Sequence, residues 1–137
     1  MTEKEKPSVN IVLPVYNEDA ELSASVTTLA RFLRKQLEDF SWHITIADNA
    51  STDKTLEIAR ALSRKYPFVS VDHLSRKGRG RAVKHVWRKD EYDYLAYMDI
   101  DLSTDLRHFP QLLRSLERGY DIAIGSRNTR GARVYGR

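Results

Sequence analysis

Apolar segments of two kinds alternate along this chain, and the alternation limits its possible folds more than any other feature. Strand-like runs, rich in aliphatic and aromatic residues, occur at residues 9–13, 42–47, 68–74, 92–98 and 121–125. Between these runs, apolar residues recur at three- and four-residue steps, which is typical of an amphipathic helix. This order predicts an α/β fold with a mostly parallel sheet and helices on both of its faces.

Length and composition indicate one soluble globular domain. The 137 residues are 41% hydrophobic and 31% charged, and none is cysteine, which excludes disulfides and thiolate metal sites. No apolar run approaches the roughly 18 residues that cross a bilayer, and no signal-peptide pattern opens the chain. We expect residues 1–7 to be a flexible N-terminus, residues 8–137 to form the domain, and the protein to be cytoplasmic.

The residues best suited to chemistry follow the predicted strands directly. They form the segments Pro14–Glu18, Asp48–Asp53, Arg76–Arg81, Asp99–Asp101 and Ser126–Arg127. We expect the first strand to end at Pro14, which cannot donate to a strand ladder. Because the ligand of an open α/β sheet lies across the carboxyl ends of the strands, these distant segments are predicted to converge on one site.

Two carboxylates two residues apart follow the fourth predicted strand. Alternate residues of an extended segment point to the same side, so Asp99 and Asp101 are expected to project together. Like charges that close repel each other unless a cation lies between them, and Mg²⁺ or Mn²⁺ with phosphate oxygens is the usual solution. The alternative is that both are solvated loop acids or helix caps.

The segments after the first two strands offer groups that fit a nucleoside. Tyr16 can support a base or a ribose, and Glu18 can accept hydrogen bonds from ribose hydroxyls. A simple helix entry with Asn17 as the cap is the alternative for this turn. Asp48 can accept a hydrogen bond from the imide N–H of uracil or guanine. Helix capping is the alternative for Asp48, but Ser51–Asp53 already offer capping groups.

Basic residues are concentrated after the third and fifth predicted strands. Residues 76–89 include seven lysines and arginines and no acid. Within them, Lys77–Gly80 combines two glycines with cations before a helix, which suits phosphate. Its spacing is neither that of a P-loop nor that of a dinucleotide-binding fingerprint. Arg127 can pair with a phosphate through its planar guanidinium. A solvated helix face is the alternative for residues 76–89.

The same residues disfavour several other functions. The four histidines are scattered without the spacing of a zinc site, and no Ser-His-Asp or Cys-His set can be assembled from the predicted site segments. Residues 76–89 carry only Trp87 as an interleaved aromatic, so nucleic acid is not expected as a partner. A base clamp, cations and a carboxylate pair fit a nucleoside diphosphate bound through a divalent metal.

The order and spacing of these motifs resemble those of the family 2 glycosyltransferases, which have the Rossmann-like GT-A fold. Within that family the sequence is most similar to dolichyl-phosphate mannose synthases and related polyprenyl-phosphate glycosyltransferases. The resemblance rests on the segments Pro14–Glu18, Asp48–Thr55, Gly78–Ala82, Asp99–Ser103 and Gly125–Arg127. It implies inverting transfer of a hexose, mannose or glucose, from a GDP- or UDP-sugar to a polyprenyl (dolichyl) phosphate, with Mg²⁺ or Mn²⁺ as cofactor.

The resemblance also implies a role for each motif. Asp99 and Asp101 would hold the metal, and Arg127 would meet a donor or acceptor phosphate, with Asp101 and Arg127 as the catalytic residues. The residues implied to bind the donor nucleotide are Pro14, Tyr16, Asn17, Glu18, Asp48, Arg79 and Asp99. The sequence departs from the family pattern at three positions. Asn49 replaces an acid, Arg79 replaces a lysine, and Ser103 follows the acid pair where some relatives have a residue with a longer ligand side chain.

The length of the chain shapes the remaining expectations. Members of the family continue beyond the Gly-Ser-Arg strand with an acceptor-site segment, whereas this sequence stops at Arg137. We therefore expect the donor-binding half of such an enzyme, which binds nucleotide and metal but transfers sugar poorly. Peripheral contact with the cytoplasmic face of a membrane is a further expectation, and so is a homo-oligomer formed through an exposed sheet edge or apolar patch. The alternatives are a non-catalytic nucleotide-sugar-binding module and a transferase that acts on a polysaccharide or a protein-linked glycan.

Overall fold

The computed structural model describes residues 6–75, 92–100, 106–117, 122–125 and 132–135. The chain divides into two compact units, Met1–Asp101 and Leu102–Arg137. The first unit contains β1 (Ser8–Val15), α1 (Leu22–Gln36), β2 (Ser41–Asn49), α2 (Thr55–Lys65), β3 (Val69–Leu74) and β4 (Tyr94–Tyr97). The second contains a 3₁₀ turn (Leu106–His108), α3 (Phe109–Glu117), β5 (Ile122–Gly125) and β6 (Ala132–Tyr135). No helix in these described segments is long and apolar enough to cross a membrane.

Four parallel strands in the order β3-β2-β1-β4 form the sheet of the first unit. β1 lies inside the sheet, where it pairs with β2 from Ser8 to Val15 and with β4 from Val9 to Val12. Every residue of β1 from Val9 onward is buried, so this strand is covered on both faces, as parallel sheets require. The predicted α/β class with a parallel sheet is confirmed.

The helices α1 and α2 connect successive strands of this sheet. The buried residues of α1 recur at helical spacing, as the sequence predicted: Leu22, Val26, Leu29, Ala30 and Leu33. α2 contacts α1, β2 and β3. Contact between the two helices is expected, because two right-handed crossovers made in the same direction place both helices on one face of the sheet. The helix expected around residues 82–87 lies outside the described residues.

β1 does not end at Pro14, so that prediction was wrong. The strand continues to Val15, and Pro14 is in register with Ala47 of β2. Met98 N–H donates to Val12 O at 3.0 Å, and the next bond of this parallel ladder would come from the N–H of residue 14, which proline lacks. Pro14 therefore ends the β1–β4 ladder and leaves the β1–β2 pairing intact.

The second unit corrects the prediction for the last strand. β5 forms where a strand was expected, but it pairs antiparallel with β6, with Gly125 opposite Ala132. Residues 126–131 are too short a connection for a parallel crossover, so the two strands can only form a hairpin. β6 was not anticipated, because its segment was considered only for its concentration of basic residues. α3 contacts both strands and buries Phe109 and Leu113.

Aromatic side chains pack together at the amino end of the parallel sheet, where the strands begin. The Phe68 ring lies edge-on to Trp42 and stacks on Tyr66, with ring centroids 5.0 Å apart in both pairs.

Ser8 N–H donates to Asp93 Oδ2 at 2.8 Å, and Asp93 N–H donates to Ser8 Oγ at 2.9 Å. This reciprocal pair ties the start of β1 to the segment before β4.

Candidate functional site

The loops that follow β1 and β2 are joined by hydrogen bonds at the carboxyl end of the sheet. The N–H of Asn17 donates to Ser51 Oγ at 3.0 Å, and the N–H of Glu18 donates to Thr55 Oγ1 at 2.8 Å. In the other direction, Thr52 N–H donates to Asn17 Oδ1 at 2.8 Å. Because β1 and β2 are neighbours of matching length, their following loops meet and form one polar unit.

Asn17 is the residue on which this joining most depends. Its Oδ1 also accepts hydrogen bonds from Thr52 Oγ1 and from the N–H of Asp53, both at 3.3 Å. Its φ of 52° lies in the left-handed region, which asparagine tolerates better than most residues. Asn17 does not cap α1, since its side-chain oxygen turns to the other loop and α1 begins at Leu22. Its predicted contact with the donor stays a prediction.

A second left-handed residue, Ala50, lies directly after β2 and has φ of 59°. For a residue with a Cβ atom this conformation costs about 1–2 kcal/mol relative to the right-handed region. The loop after β2 therefore holds backbone strain next to Asp48, and the hydrogen bonds to Asn17 help to keep it in place.

Asp53 lies two residues before the first residue of α2 and helps to hold both loops. Its Oδ1 accepts from Thr55 N–H at 2.9 Å and from the Thr55 hydroxyl, and its Oδ2 accepts from Asp19 N–H at 3.4 Å. Desolvation raises the pKa of Asp53, but the hydrogen bonds from Thr55 and Asp19 together outweigh it, so the pKa lies below its ordinary 3.8. An ionised carboxylate at this position complements the positive end of the α2 dipole.

Asp48 is the second-last residue of β2, and its register partners are Val15 and His73. Its Oδ2 lies 2.7 Å from His73 Nδ1, and the side chains of Asp48 and His73 are 0% and 38% exposed. Asp48 Oδ1 is buried and has no hydrogen-bond partner within the described part of the chain. A buried acceptor without a donor costs about 1–3 kcal/mol, and more when it is charged. A ligand donor at this atom would therefore be favourable.

Asp99 follows β4 at the same end of the sheet. It is half-buried, and its neighbours Met98 and Ile100 are buried. Its carboxylate is a hard oxygen donor, which suits Mg²⁺ or Mn²⁺. Among the described residues, no three His, Cys, Asp or Glu side chains converge on a possible metal site. Asp101, the second predicted ligand, lies outside those residues.

The structure brings part of the predicted site together. The predicted site residues on the ends of β1 and β2 and on the joined loops are Pro14, Tyr16, Asn17, Glu18 and Asp48. Pro14 and Asp48 are buried, Tyr16 and Glu18 are half-buried, and Asn17 is exposed. Arg79, Asp101 and Arg127 lie outside the described residues, as do residues 76–89. The proposed ligand contacts of all these residues stay predictions.

Sequence reasoning missed the role of His73, which was expected to be a surface or partly packed residue. A signal was present in the strand alternation. Residues 44, 46 and 48 are Ile, Ile and Asp, and residues 69, 71 and 73 are Val, Val and His. These two sets are in register on neighbouring parallel strands. The polar residues that end the two apolar alternations, Asp48 and His73, therefore lie side by side.

The chain belongs to the glycosyl transferase family 2, whose family model matches residues 10–136. This finding confirms the family inferred from the ordered motifs. The matched region includes the polar carboxyl end of the sheet, because it extends over β1 to β4 and the loops between them.

Curated relatives are similar over most of this chain. The dolichol-phosphate mannosyltransferase of Pyrococcus furiosus is 32% identical over 126 residues, which cover 92% of this chain and 35% of the relative. The glycosyltransferase AglD of Haloferax volcanii is 34% identical over 121 residues, 87% of this chain and 19% of the relative. The undecaprenyl-phosphate 4-deoxy-4-formamido-L-arabinose transferase of Pseudomonas fluorescens is 28% identical, over 89% of this chain and 36% of the relative. The chain thus spans about a third or less of their length.

Two solved structures share the fold. The mannosyltransferase PcManGT of Pyrobaculum calidifontis, in complex with GDP-Man and Mn²⁺, aligns with a TM-score of 0.57 and 20% identity over 72% of this chain and 29% of that chain. TarS of S. aureus aligns with a TM-score of 0.61 and 18% identity over 82% of this chain and 20% of that chain. These likenesses show the fold, and they confirm the predicted GT-A architecture.

Proposed function

We propose that this chain binds the sugar donor of a family 2 glycosyltransferase, which moves mannose or glucose from a GDP- or UDP-sugar to a polyprenyl phosphate. The donor would bind at the carboxyl end of the parallel sheet, where ligands of open α/β sheets lie. The observation that carries the proposal is Asp48. It is a fully buried carboxylate at the end of β2, with one oxygen left without a partner among the described residues.

The nucleoside would occupy the end of the site formed by β1, β2 and their loops. Asp48 Oδ1 would accept the imide N–H of the base. The half-buried Tyr16 would support the base or ribose, and Glu18 would accept hydrogen bonds from ribose hydroxyls. The backbone of residues 17–19 is already held by the loop after β2, so little ordering would remain to be done on binding.

The diphosphate would lie toward the end of β4. Asp99 and Asp101 would hold Mg²⁺ or Mn²⁺, which when bound neutralises the charge of the departing diphosphate. Arg79 would contact the donor diphosphate and Arg127 a donor or acceptor phosphate. An acceptor phosphate is already ionised near neutral pH, so orientation and charge neutralisation would supply most of the catalysis.

The named relatives support the donor and acceptor classes. Two of them are transferases whose names contain dolichol phosphate or undecaprenyl phosphate, and the structure of PcManGT was solved with GDP-Man and Mn²⁺. Because this chain spans about a third or less of those relatives, we propose that these residues bind donor and metal but transfer sugar poorly by themselves. Peripheral contact with the cytoplasmic face of a membrane and a homo-oligomer belong to the same proposal.

Calorimetric titration tests this proposal. GDP-mannose, UDP-glucose and UDP-GlcNAc are titrated with and without Mn²⁺ into the wild type and into Asp99→Ala, Asp101→Ala and Asp39→Ala. Asp39 is an exposed carboxylate between α1 and β2 and serves as the matched control. We expect one donor to bind with Mn²⁺, and loss of either Asp99 or Asp101 to weaken binding at least tenfold, about 1.4 kcal/mol. Failure of every donor to bind, or binding that ignores both Mn²⁺ and these two acids, would contradict the proposal.

A further inference from the structure

We propose that His73 is a positioning residue that fixes the Asp48 carboxylate and thereby sets the preference of the site for the base. The inference deepens the proposed function and rests on it. It assigns to His73 a role in selecting bases with an N–H at their pairing edge, as in uracil and guanine, over bases with an acceptor there, as in cytosine and adenine.

The geometry of the pair carries the first step. The residues are opposite each other in the β2–β3 ladder, at the ends of two parallel strands, so their backbones hold the side chains together. The 2.7 Å distance between His73 Nδ1 and Asp48 Oδ2 is that of a charge-assisted hydrogen bond. An ionised carboxylate only accepts hydrogen bonds, so the proposal has His73 Nδ1–H as the donor in this contact.

The two oxygens of Asp48 consequently have different environments. Oδ2 is used by His73, whereas Oδ1 is buried and without a donor in the described residues. A carboxylate held through one oxygen cannot rotate freely about its Cβ–Cγ bond, so the direction of the Oδ1 lone pairs is fixed. No part of the Asp48 side chain is exposed, so a ligand donor that reaches Oδ1 must displace the atoms that cover it.

A fixed Oδ1 acceptor makes the site favour a hydrogen-bond donor on the base over an acceptor. An imide N–H placed there completes the hydrogen bonding of the buried oxygen. A base that presents a ring-nitrogen lone pair at the same point would face the carboxylate with two acceptors opposed and both desolvated. Discrimination by a buried polar group of this kind is strong, because the wrong partner leaves the group unpaired. Without His73, the carboxylate could turn and the discrimination would decrease.

The test compares base preference in three His73 side chains. UDP, GDP, CDP and ADP are titrated with Mn²⁺ into the wild type, His73→Asn and His73→Leu. The asparagine amide can place an N–H near the position of Nδ1, and leucine offers no donor. His43→Leu is the matched control, since His43 bonds to Ser70 Oγ near the amino end of the same strands. Thermal melting of each variant confirms that it is folded.

We expect the wild type to prefer UDP or GDP over CDP and ADP by at least about tenfold. His73→Asn and His43→Leu should retain that preference, and His73→Leu should lose most of it. Equal base preference in the wild type and His73→Leu would overturn the inference while leaving the proposed function standing. Absence of binding by any nucleotide to the wild type would remove both.

A second readout does not depend on nucleotide. Long-range ¹H–¹⁵N spectra of the imidazoles should show His73 protonated at Nδ1 in the wild type. In Asp48→Leu, neutral His73 should lose its preference for a proton at Nδ1. A wild-type spectrum with His73 protonated only at Nε2 would overturn the inference, because Nδ1 could then not donate to Asp48.

Discussion

At the amino end of the parallel sheet, Phe68 packs against Trp42 and Tyr66, and the Arg34 guanidinium lies 5.2 Å from the centre of its ring. At the carboxyl end, Asp48 is buried beside His73 with one oxygen unpartnered among the described residues. β1 has eight residues, so at about 3.3 Å per residue its two ends are roughly 23 Å apart. One end of the sheet is thus packed by aromatic rings, and the other end holds a buried carboxylate oxygen without a donor among the described residues.

The difference indicates that the features that oppose stability are concentrated at the carboxyl end of the sheet. At the amino end, Ser8 and Asp93 satisfy each other's polar groups in a reciprocal pair of hydrogen bonds. The carboxyl end carries two left-handed residues, Asn17 and Ala50, and a buried carboxylate. Local features that oppose stability are expected where a protein binds its ligand. Substitutions at the amino end should therefore change stability alone, and substitutions at the carboxyl end should change binding or strain.

The largest effect on binding is expected from Asp48→Leu, which replaces the carboxylate with an apolar side chain of similar size. The affinity for Mn²⁺ with GDP or UDP should decrease about 10- to 100-fold, because a charge-assisted hydrogen bond of about 1.5–3 kcal/mol is lost. The free energy of unfolding should change little, because the substitution removes a buried oxygen that lacks a donor among the described residues together with the hydrogen bond to the partly exposed His73. Calorimetry and urea denaturation measure the two quantities. Unchanged affinity together with a large loss of stability would make Asp48 a structural residue.

At the amino end, Phe68→Ala should have the opposite pattern. The half-buried ring contacts two other rings and a guanidinium, so we expect the free energy of unfolding to decrease by about 2 kcal/mol. Phe68→Leu, which keeps most of the volume, should lose less. The affinity for Mn²⁺ with GDP or UDP, measured by titration below the melting temperature, should not change. A decrease in affinity that matches the Asp48 variant would remove the distinction between the two ends.

Asn17→Ala should affect both quantities. The substitution removes the acceptor shared by Thr52 N–H, Thr52 Oγ1 and Asp53 N–H, and we expect a loss of about 1–2 kcal/mol in the free energy of unfolding. Nucleotide affinity should fall severalfold, because the two loops are no longer joined through this side chain. Asn17→Asp keeps the Oδ1 acceptor and should recover most of the stability. Equal destabilisation by both substitutions would assign the effect to the backbone of residue 17.

Ala50→Gly should stabilise the chain slightly. Removal of Cβ relieves the left-handed strain, and the greater freedom of glycine in the unfolded chain offsets part of the gain, leaving about 0.5 kcal/mol. Ala61→Gly, at an exposed position inside α2, is the control and should destabilise by about 1 kcal/mol. Denaturation curves of both variants check the opposite signs. Destabilisation by Ala50→Gly would show that φ at this position is not strained.

The smallest effect is a dependence of stability on pH through Asp53. Its pKa in the folded chain is below the ordinary 3.8, so its contribution is complete above that value and is lost as the pH falls through the folded pKa. The melting temperature of the wild type should therefore exceed that of Asp53→Asn near neutral pH, and the difference should narrow below pH 3.8. A difference that stays constant down to pH 2 would contradict the depressed pKa.

Much of the fold was predictable because its signals are local. Apolar periodicity gave α1, α2 and the four parallel strands, and the placement of polar residues after strands indicated the carboxyl end of the sheet. The failures depend on pairing. That Pro14 ends one ladder but not its strand follows from which neighbour faces residue 14. That β5 joins a hairpin follows from its short connection to β6, a four-residue strand that the sequence pattern did not indicate.

The candidate site was predictable to a similar degree. Residue types identified Asp48 as a ligand-binding candidate, because its neighbours already offered caps. They did not identify His73, whose meaning depends on the β2–β3 register. They also could not show that Asn17 spends its side-chain oxygen on the other loop, since that bond joins residues more than thirty positions apart.

Paramagnetic broadening by Mn²⁺ compares the two ends of the sheet in one experiment. Amide ¹H–¹⁵N spectra are recorded with Mn²⁺ and GDP or UDP, against Mg²⁺ with the same nucleotide. Broadening decreases steeply with distance from the ion. We predict the strongest loss of signal at Asp99 and its neighbours and at the loops after β1 and β2, with Ser8, Trp42 and Val69 retained. Signals lost first at the amino end, or no site-specific loss at either end, would contradict a metal-bridged nucleotide at the carboxyl end of the sheet.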